Sequence, residues 1–166
     1  MLDLHELAAG KVAALLARSA PRDLYDVREL LARPELDRSR LRLAAVVYGG
    51  IARRDWREVS LSEVRAEPAE VDRMLVPLLR GDAVPHRTEL AGWTERLVRD
   101  CRELLGTLLP LAPEAIEFLR LLNEQGEIRA ELLTDDEDLR TAIRAQPGLE
   151  WKARNVRQHR GLDSQG

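Results

Sequence analysis

At 166 residues, 45% hydrophobic and 33% charged, the chain can bury most of its apolar surface without disulfides or metal and shows no compositional sign of disorder. Its net charge of -3 excludes a global pull toward nucleic acid or anionic lipid, so any such contact must be local. The single cysteine, Cys101, excludes an intrachain disulfide, and no Cys/His spacing suits zinc.

The opening Met1-Leu2-Asp3-Leu4-His5-Glu6 lacks the basic end and long apolar run of a signal peptide. From Leu4 to Arg18 the pattern predicts an amphipathic helix. Leu4, Leu7, Ala8 and Leu15 are expected on one stripe, with Lys11 in its middle and Arg18 on the same edge. An ammonium there is costly unless it pairs or reaches water, so Lys11 reads either as a snorkelling or salt-bridged lysine or as a functional one. Ser19-Ala20-Pro21 is a short turn, so the next helix should fold back antiparallel. That helix opens with Arg22-Asp23-Leu24-Tyr25-Asp26, and Asp23 is expected among Val27, Leu30 and Leu31, with Asp26 at the edge of that face. Lys11 and Asp23 are then predicted to face one interior cleft, as a structural ion pair or as parts of a site.

Residues 38 to 53 leave little polar face and predict a central, buried helix. The longest apolar run, Leu43 to Tyr48, is six residues, far short of a membrane span. Ser60 and Glu63 have capping-box spacing, and Val71, Met74, Leu75, Leu78 and Leu79 predict a helix that Pro77 should kink or shorten. Leu90, Trp93, Leu97, Val98, Cys101, Leu104, Leu105 and Leu108 predict a long amphipathic helix, with Cys101 as a small core residue. Another helix is expected from Ala112-Pro113 to Gly126. Asp135-Asp136-Glu137-Asp138 should cap a short helix.

Pro34, Pro68, Pro85 and Pro110 mark loops, and strand signals are nearly absent. His5, His86 and His159 are scattered without metal spacing and are expected at the surface or in loops. The last segment sets Lys152, Arg154, Arg157 and Arg160 against Asp163, a local charge of +3. Its Trp151, Lys152 and Arg154 are candidate RNA contacts, or else a solvated helix end whose tryptophan packs on the bundle. The expected architecture is all-α: a single compact bundle of six to eight helices spanning residues 1–166, in a cytoplasmic protein.

Two stretches carry a resemblance. Glu6-Leu7-Ala8-Ala9-Gly10-Lys11 through Arg18, then Arg22-Asp23-Leu24-Tyr25-Asp26-Val27, resembles the later motif block of the AbiEii/AbiGii-type nucleotidyltransferase toxin family. That block runs as an E-L-x-A-x-K helix, an apolar stretch with an arginine, and R-D-L-Y-D. Pro147-Gly148-Leu149-Glu150-Trp151-Lys152-Ala153-Arg154-Asn155-Val156 is similar to the family's closing segment. The resemblance implies transfer of a nucleotide from a nucleoside triphosphate (NTP) to RNA with Mg2+, and a cognate antitoxin. It implies that Lys11 contacts the triphosphate and that Asp23 orients Lys11 or acts as a base, with Arg18, Arg22 and Asp26 in support.

The family's first half carries a Gly-Ser turn followed by an Asp-x-Asp metal pair, and nothing here matches it; Asp136-Glu137-Asp138 has the letters without the Gly-Ser. The expectation is therefore the C-terminal helical half, without the N-terminal metal-binding domain and not catalytic alone. Two readings follow. One is a nucleotide-closing domain. The other is a non-enzymatic module docking onto an antitoxin or a nucleotidyltransferase partner, with an exposed apolar patch near the N-terminus. A helical nucleic-acid binder using only the basic tail is disfavoured by the net charge of -3.

Overall fold

A computed structural model describes residues 3–161. Among these residues are eight α-helices and no strand: α1 Leu4–Arg18, α2 Pro21–Leu31, α3 Arg38–Ile51, α4 Pro68–Met74, α5 Leu90–Leu105, α6 Pro113–Gln125, α7 Glu137–Arg144 and α8 Pro147–Arg160. Short 3-10 turns fill several of the connections. The all-α expectation holds.

Local chemistry sets the boundaries. Glu6 reaches back to the Asp3 N–H at 3.3 Å, and Ser19, at φ 49°, reverses the chain after α1. Pro21, Pro68, Pro113 and Pro147 open α2, α4, α6 and α8, where a missing N–H is harmless. Gly126, at φ 67°, ends α6. Asp136 caps α7 by accepting from the Asp138 and Leu139 N–H groups at 2.9 and 3.0 Å, so the acidic run is a helix start. Ser60 and Glu63 do form a capping box, heading the 3-10 turn Leu61–Glu63. The Val71 stripe breaks at Met74, before Pro77, which leaves Met74 and Leu78 exposed.

Helix α3 is the hub: α1 lies along it on one side, and α6 and α8 touch it on the other. Two glycines near its end permit this. A Cβ on Gly49 would drive into the ring of buried Trp56, and one on Gly50 would press on Leu122 and Leu149. Helix α2 sits between α1 and α5, and Cys101 of α5 is fully buried, its thiol pushed up to about 12 by loss of water.

Helix ends are tied to other elements by cations, which suits the negative end of the helix dipole. Arg54 donates to the Leu16 carbonyl at 3.2 Å, Arg38 to Leu31 at 2.9 Å and Lys152 to Ala52 at 2.7 Å. Arg42 donates to Thr107 at 2.7 Å and Arg157 to Gly126 at 2.6 Å. Around Arg57 a further web forms, with Asp55 and Glu124 both within 2.6 Å and Arg120 linking Glu117 to Glu124.

Two expectations for α1 need correction. Its buried face is His5, Ala8, Ala9, Val12, Leu15 and Leu16, whereas Leu7 is 42% exposed. The apolar stripe is therefore rotated from the expected one, and Lys11 lies on its half-open edge instead of its middle. The core-facing side carries Ala8, Ala9 and Val12 along its middle, with Leu15 and Leu16 beyond them, while Leu7 turns outward. His5 is not a surface histidine: it is 8% exposed, its Nδ1 meets Asp3 at 3.1 Å and its Nε2 accepts from the Asp37 N–H at 3.0 Å. It thus pins the start of α1 to the start of α3.

Gly49→Ala is predicted to destabilise the protein by about 1–3 kcal/mol or more, since buried Trp56 has nowhere to move. Gly10→Ala, whose Cβ would meet only Tyr48 at 3.6 Å, is predicted to be stabilising by about 0.5–1 kcal/mol through helix propensity. Urea unfolding of both variants tests the contrast. Glu131 is drawn from 4.5 to about 2, first by its own backbone N–H and then by Arg129 and Arg144. A carboxylate depressed in the folded state contributes stability above its unfolded value and loses it as pH falls. The unfolding midpoint should therefore drop between about pH 5 and about pH 2, and Glu131→Gln should flatten that drop.

Candidate nucleotide-binding hairpin

The α1–α2 hairpin is built by the left-handed Ser19 and the Pro21 start of α2. It is braced from outside: the Ser19 hydroxyl donates to the Glu63 carbonyl at 3.1 Å, and Arg54 pairs with the Glu63 carboxylate while holding Leu16. Two ion pairs cross the hairpin. Lys11 Nζ donates to Asp26 Oδ2 at 2.7 Å, the two side chains being 32% and 30% exposed. Arg18 donates from Nε and one Nη to the two oxygens of Asp23, at 2.6 and 3.1 Å.

The second pair is asymmetric. Asp23 is 2% exposed, at the third position of α2, where the helix dipole also favours an anion. Arg18 keeps most of its side chain in water, and its hydrogen bond to Asp23 raises its pKa above the ordinary arginine value. Arg22 is exposed beside Asp23. The structure thus brings Lys11, Arg18, Arg22, Asp23 and Asp26 onto one hairpin, yet Lys11 does not pair with Asp23; each takes another partner. The Lys11 ammonium has donors left over after Asp26, and Arg18 after Asp23, both toward solvent.

The C-terminal candidates are divided. Trp151 is 66% exposed and does not pack into the bundle, and Arg154 is also exposed. Lys152 turns inward to the Ala52 carbonyl; burial lowers its pKa, partly offset by Asp55. Leu162 to Gly166, with Asp163, lie outside the described residues.

One feature of α2 had no motif to announce it. The Tyr25 and Trp93 rings stack with centroids 6.4 Å apart, and the Arg28 guanidinium lies 5.7 Å over Tyr25. Tyr25 sits inside the R-D-L-Y-D stretch and Trp93 on the α5 stripe, but only the packing of α2 on α5 joins them.

Among the described residues, no three His, Cys, Asp or Glu side chains gather as a metal site, and no helix is long and apolar enough to cross a membrane. A family model described as the nucleotidyl transferase AbiEii toxin of a type IV toxin–antitoxin system matches residues 1–155. No curated protein and no solved structure matches the chain. The match runs through the hairpin and all but the end of α8, and such a system implies an antitoxin as partner: the chain belongs to the AbiEii nucleotidyltransferase toxin family.

Proposed function

We propose that this chain is the helical, nucleotide-closing part of a toxin nucleotidyltransferase that passes a nucleotide from NTP to RNA. The observation that carries the reading is the pair of cations, Lys11 and Arg18, held at the open edge of the hairpin by Asp26 and Asp23. A triphosphate needs cations fixed in place with donors still free, because fixing them in advance lowers the reorganisation needed when charge moves. Asp23, buried, sets the Arg18 guanidinium through two hydrogen bonds; Asp26 sets the Lys11 ammonium. Arg22 adds an exposed cation at the turn.

In this reading Lys11 meets the triphosphate and stabilises charge developing at the transferred phosphate, and Asp23 is a positioning residue. Magnesium does not fit the residues described: both hairpin carboxylates are taken by cations, and no acidic cluster stands nearby. The family's Gly-Ser and Asp-x-Asp motif does not occur among these 166 residues, so in this reading the metal that the transfer needs is held by residues outside them.

A second reading, a non-enzymatic module docking on its antitoxin or on a nucleotidyltransferase partner, draws on Leu7. That side chain is 42% exposed one helical turn before Lys11, a single apolar contact at the N-terminal end of the bundle. Calorimetric titration of ATP with magnesium separates the two. Saturable binding that weakens about tenfold or more (roughly 1.4 kcal/mol) in Lys11→Ala is the expected outcome. A folded wild-type chain that binds no triphosphate would overturn the nucleotide reading in favour of docking.

A further inference from the structure

We infer that Trp151, with Arg53 to one side of it and Arg154 to the other, is a stacking platform for a base of the single-stranded RNA that accepts the nucleotide. This rests on the nucleotidyltransferase reading for an RNA acceptor and adds where that strand lies on the bundle.

Trp151 presents its ring to solvent. It is 66% exposed on α8, and among the described residues neither an aromatic ring nor a cation packs on its indole. An indole that open leaves a large apolar surface in water, and a base stacked on it would cover that surface with little regard to which base it is. The platform has a firm mount. Lys152 donates to the Ala52 carbonyl at 2.7 Å and Gly148 lies against Ile51, so the start of α8 is fixed to the end of α3. A contact whose backbone is already held loses little freedom when a ligand arrives.

The surroundings of Trp151 favour a nucleic acid over a protein. Successive residues of a helix turn by about 100°, so Pro147, Arg154 and Gln158, all exposed, share the outward face of α8 with Trp151. A protein-docking face would set such an aromatic in an apolar patch, whereas here it is one ring beside a proline, an arginine and a glutamine. Along α8, Lys152, Arg154, Arg157 and Arg160 stand against Glu150 alone, in a chain whose net charge is -3. Arg154 holds no carboxylate among the described residues, so its guanidinium is open to a phosphate.

Position links the platform to the nucleotide edge. Helices α1 and α3 start together, where His5 accepts from the Asp37 N–H, and end together, where Arg54 donates to the Leu16 carbonyl at 3.2 Å. Lys152 holds Ala52, just before Arg54, so the start of α8 and the Arg18 end of α1 lie at the same end of the bundle. Arg53 comes between those two attachments, exposed and without a carboxylate among the described residues, and Arg22 is exposed at the hairpin turn. On α8, Lys152 points about 100° to one side of Trp151 and Arg154 about 60° to the other, which sets Trp151 between Arg53 and Arg154. A strand whose end reaches a triphosphate at Lys11 and Arg18 would pass its phosphates over Arg22 and Arg53. It would then lay a base on Trp151 before meeting Arg154.

The test is fluorescence anisotropy of a short, labelled single-stranded RNA of mixed sequence, titrated at several salt concentrations with wild-type protein and its variants. Trp151→Ala is expected to weaken binding by about tenfold while leaving the salt slope as in wild type, because a stacking contact releases no counterions. Arg53→Ala and Arg154→Ala should each lower the salt slope by about 0.7, the share of one phosphate. Trp151→Phe should retain most of the affinity, and Arg73→Ala, at an exposed cation of α4, should change neither quantity. Thermal unfolding checks that each variant folds, which the exposure of these side chains favours. Unchanged RNA affinity in folded Trp151→Ala would overturn the inference. So would a wild type that binds no RNA, and self-association lost in Trp151→Ala would then assign the indole to a protein contact. A parallel loss of ATP–magnesium affinity in Trp151→Ala would also overturn it, by assigning Trp151 to the nucleotide. RNA binding that needs Trp151 in a chain that binds no triphosphate would leave the platform standing and remove the nucleotide edge.

Discussion

The α1–α2 hairpin depends on one buried carboxylate. Asp23 is almost wholly removed from water, and an ionised carboxylate in that position needs both an opposite charge and hydrogen bonds. Arg18 supplies them in a two-toothed grip whose geometry fixes the end of α1 against the start of α2. Because Arg18 is largely exposed, water shares in stabilising the pair, so its weight lies in specifying the geometry of the turn more than in raw stability. Once the turn is set, the register of the two helices follows, and with it the meeting of Lys11 and Asp26 one to two turns away.

The chain has 26 lysines and arginines, and composition alone cannot say which of them serve a ligand. The structure divides them by what they hold. Arg38, Arg42, Arg54, Arg157 and Lys152 each reach a backbone carbonyl at or near the end of a helix that belongs to another element. These cations staple the bundle, and their charge is spent on helix ends. Lys11 and Arg18 differ because a carboxylate of the neighbouring helix holds them from one side and leaves donors on the other. The distinction also explains why the positive tail is not one uniform basic surface: Lys152 belongs to the stapling class, whereas Arg154 beside Trp151 faces solvent.

Much of this was legible from the residues. Prolines at helix starts, Gly126 at a helix end, the acidic cap at Asp136 and the apolar periodicity of α5 are local signals, read within a few positions of where they act. The centrality of α3 was legible too, since its stretch from Leu43 to Ile51 holds no charged residue and needs apolar neighbours around it. The buried face of α1 was less legible, because Ala9, Val12 and Leu16 turn inward beside Ala8 and Leu15 while Leu7 stays outside. Hydrophobicity weighs size, whereas close packing between helices selects small side chains. The five hairpin residues stood out as charges among apolar neighbours, but their pairing did not, because Asp23 and Asp26 differ by less than one turn and only the packed geometry assigns each to its cation.

The same limit governs the contacts that join distant parts of the chain. His5 bonds to the Asp37 amide, Arg42 to Thr107 and Lys152 to Ala52. None has a sequence signature, because each links elements separated by a loop or by most of the fold. Their effect is cumulative: α3 is fixed at its start by His5 and at its end by Lys152, and its glycines admit Trp56, Leu122 and Leu149 against its backbone. A helix fixed at both ends and along its length gives α1 a firm floor. Cations at the open edge and the end of α1 can then hold their positions without being buried, which is the condition for meeting a polyanion that arrives from solvent.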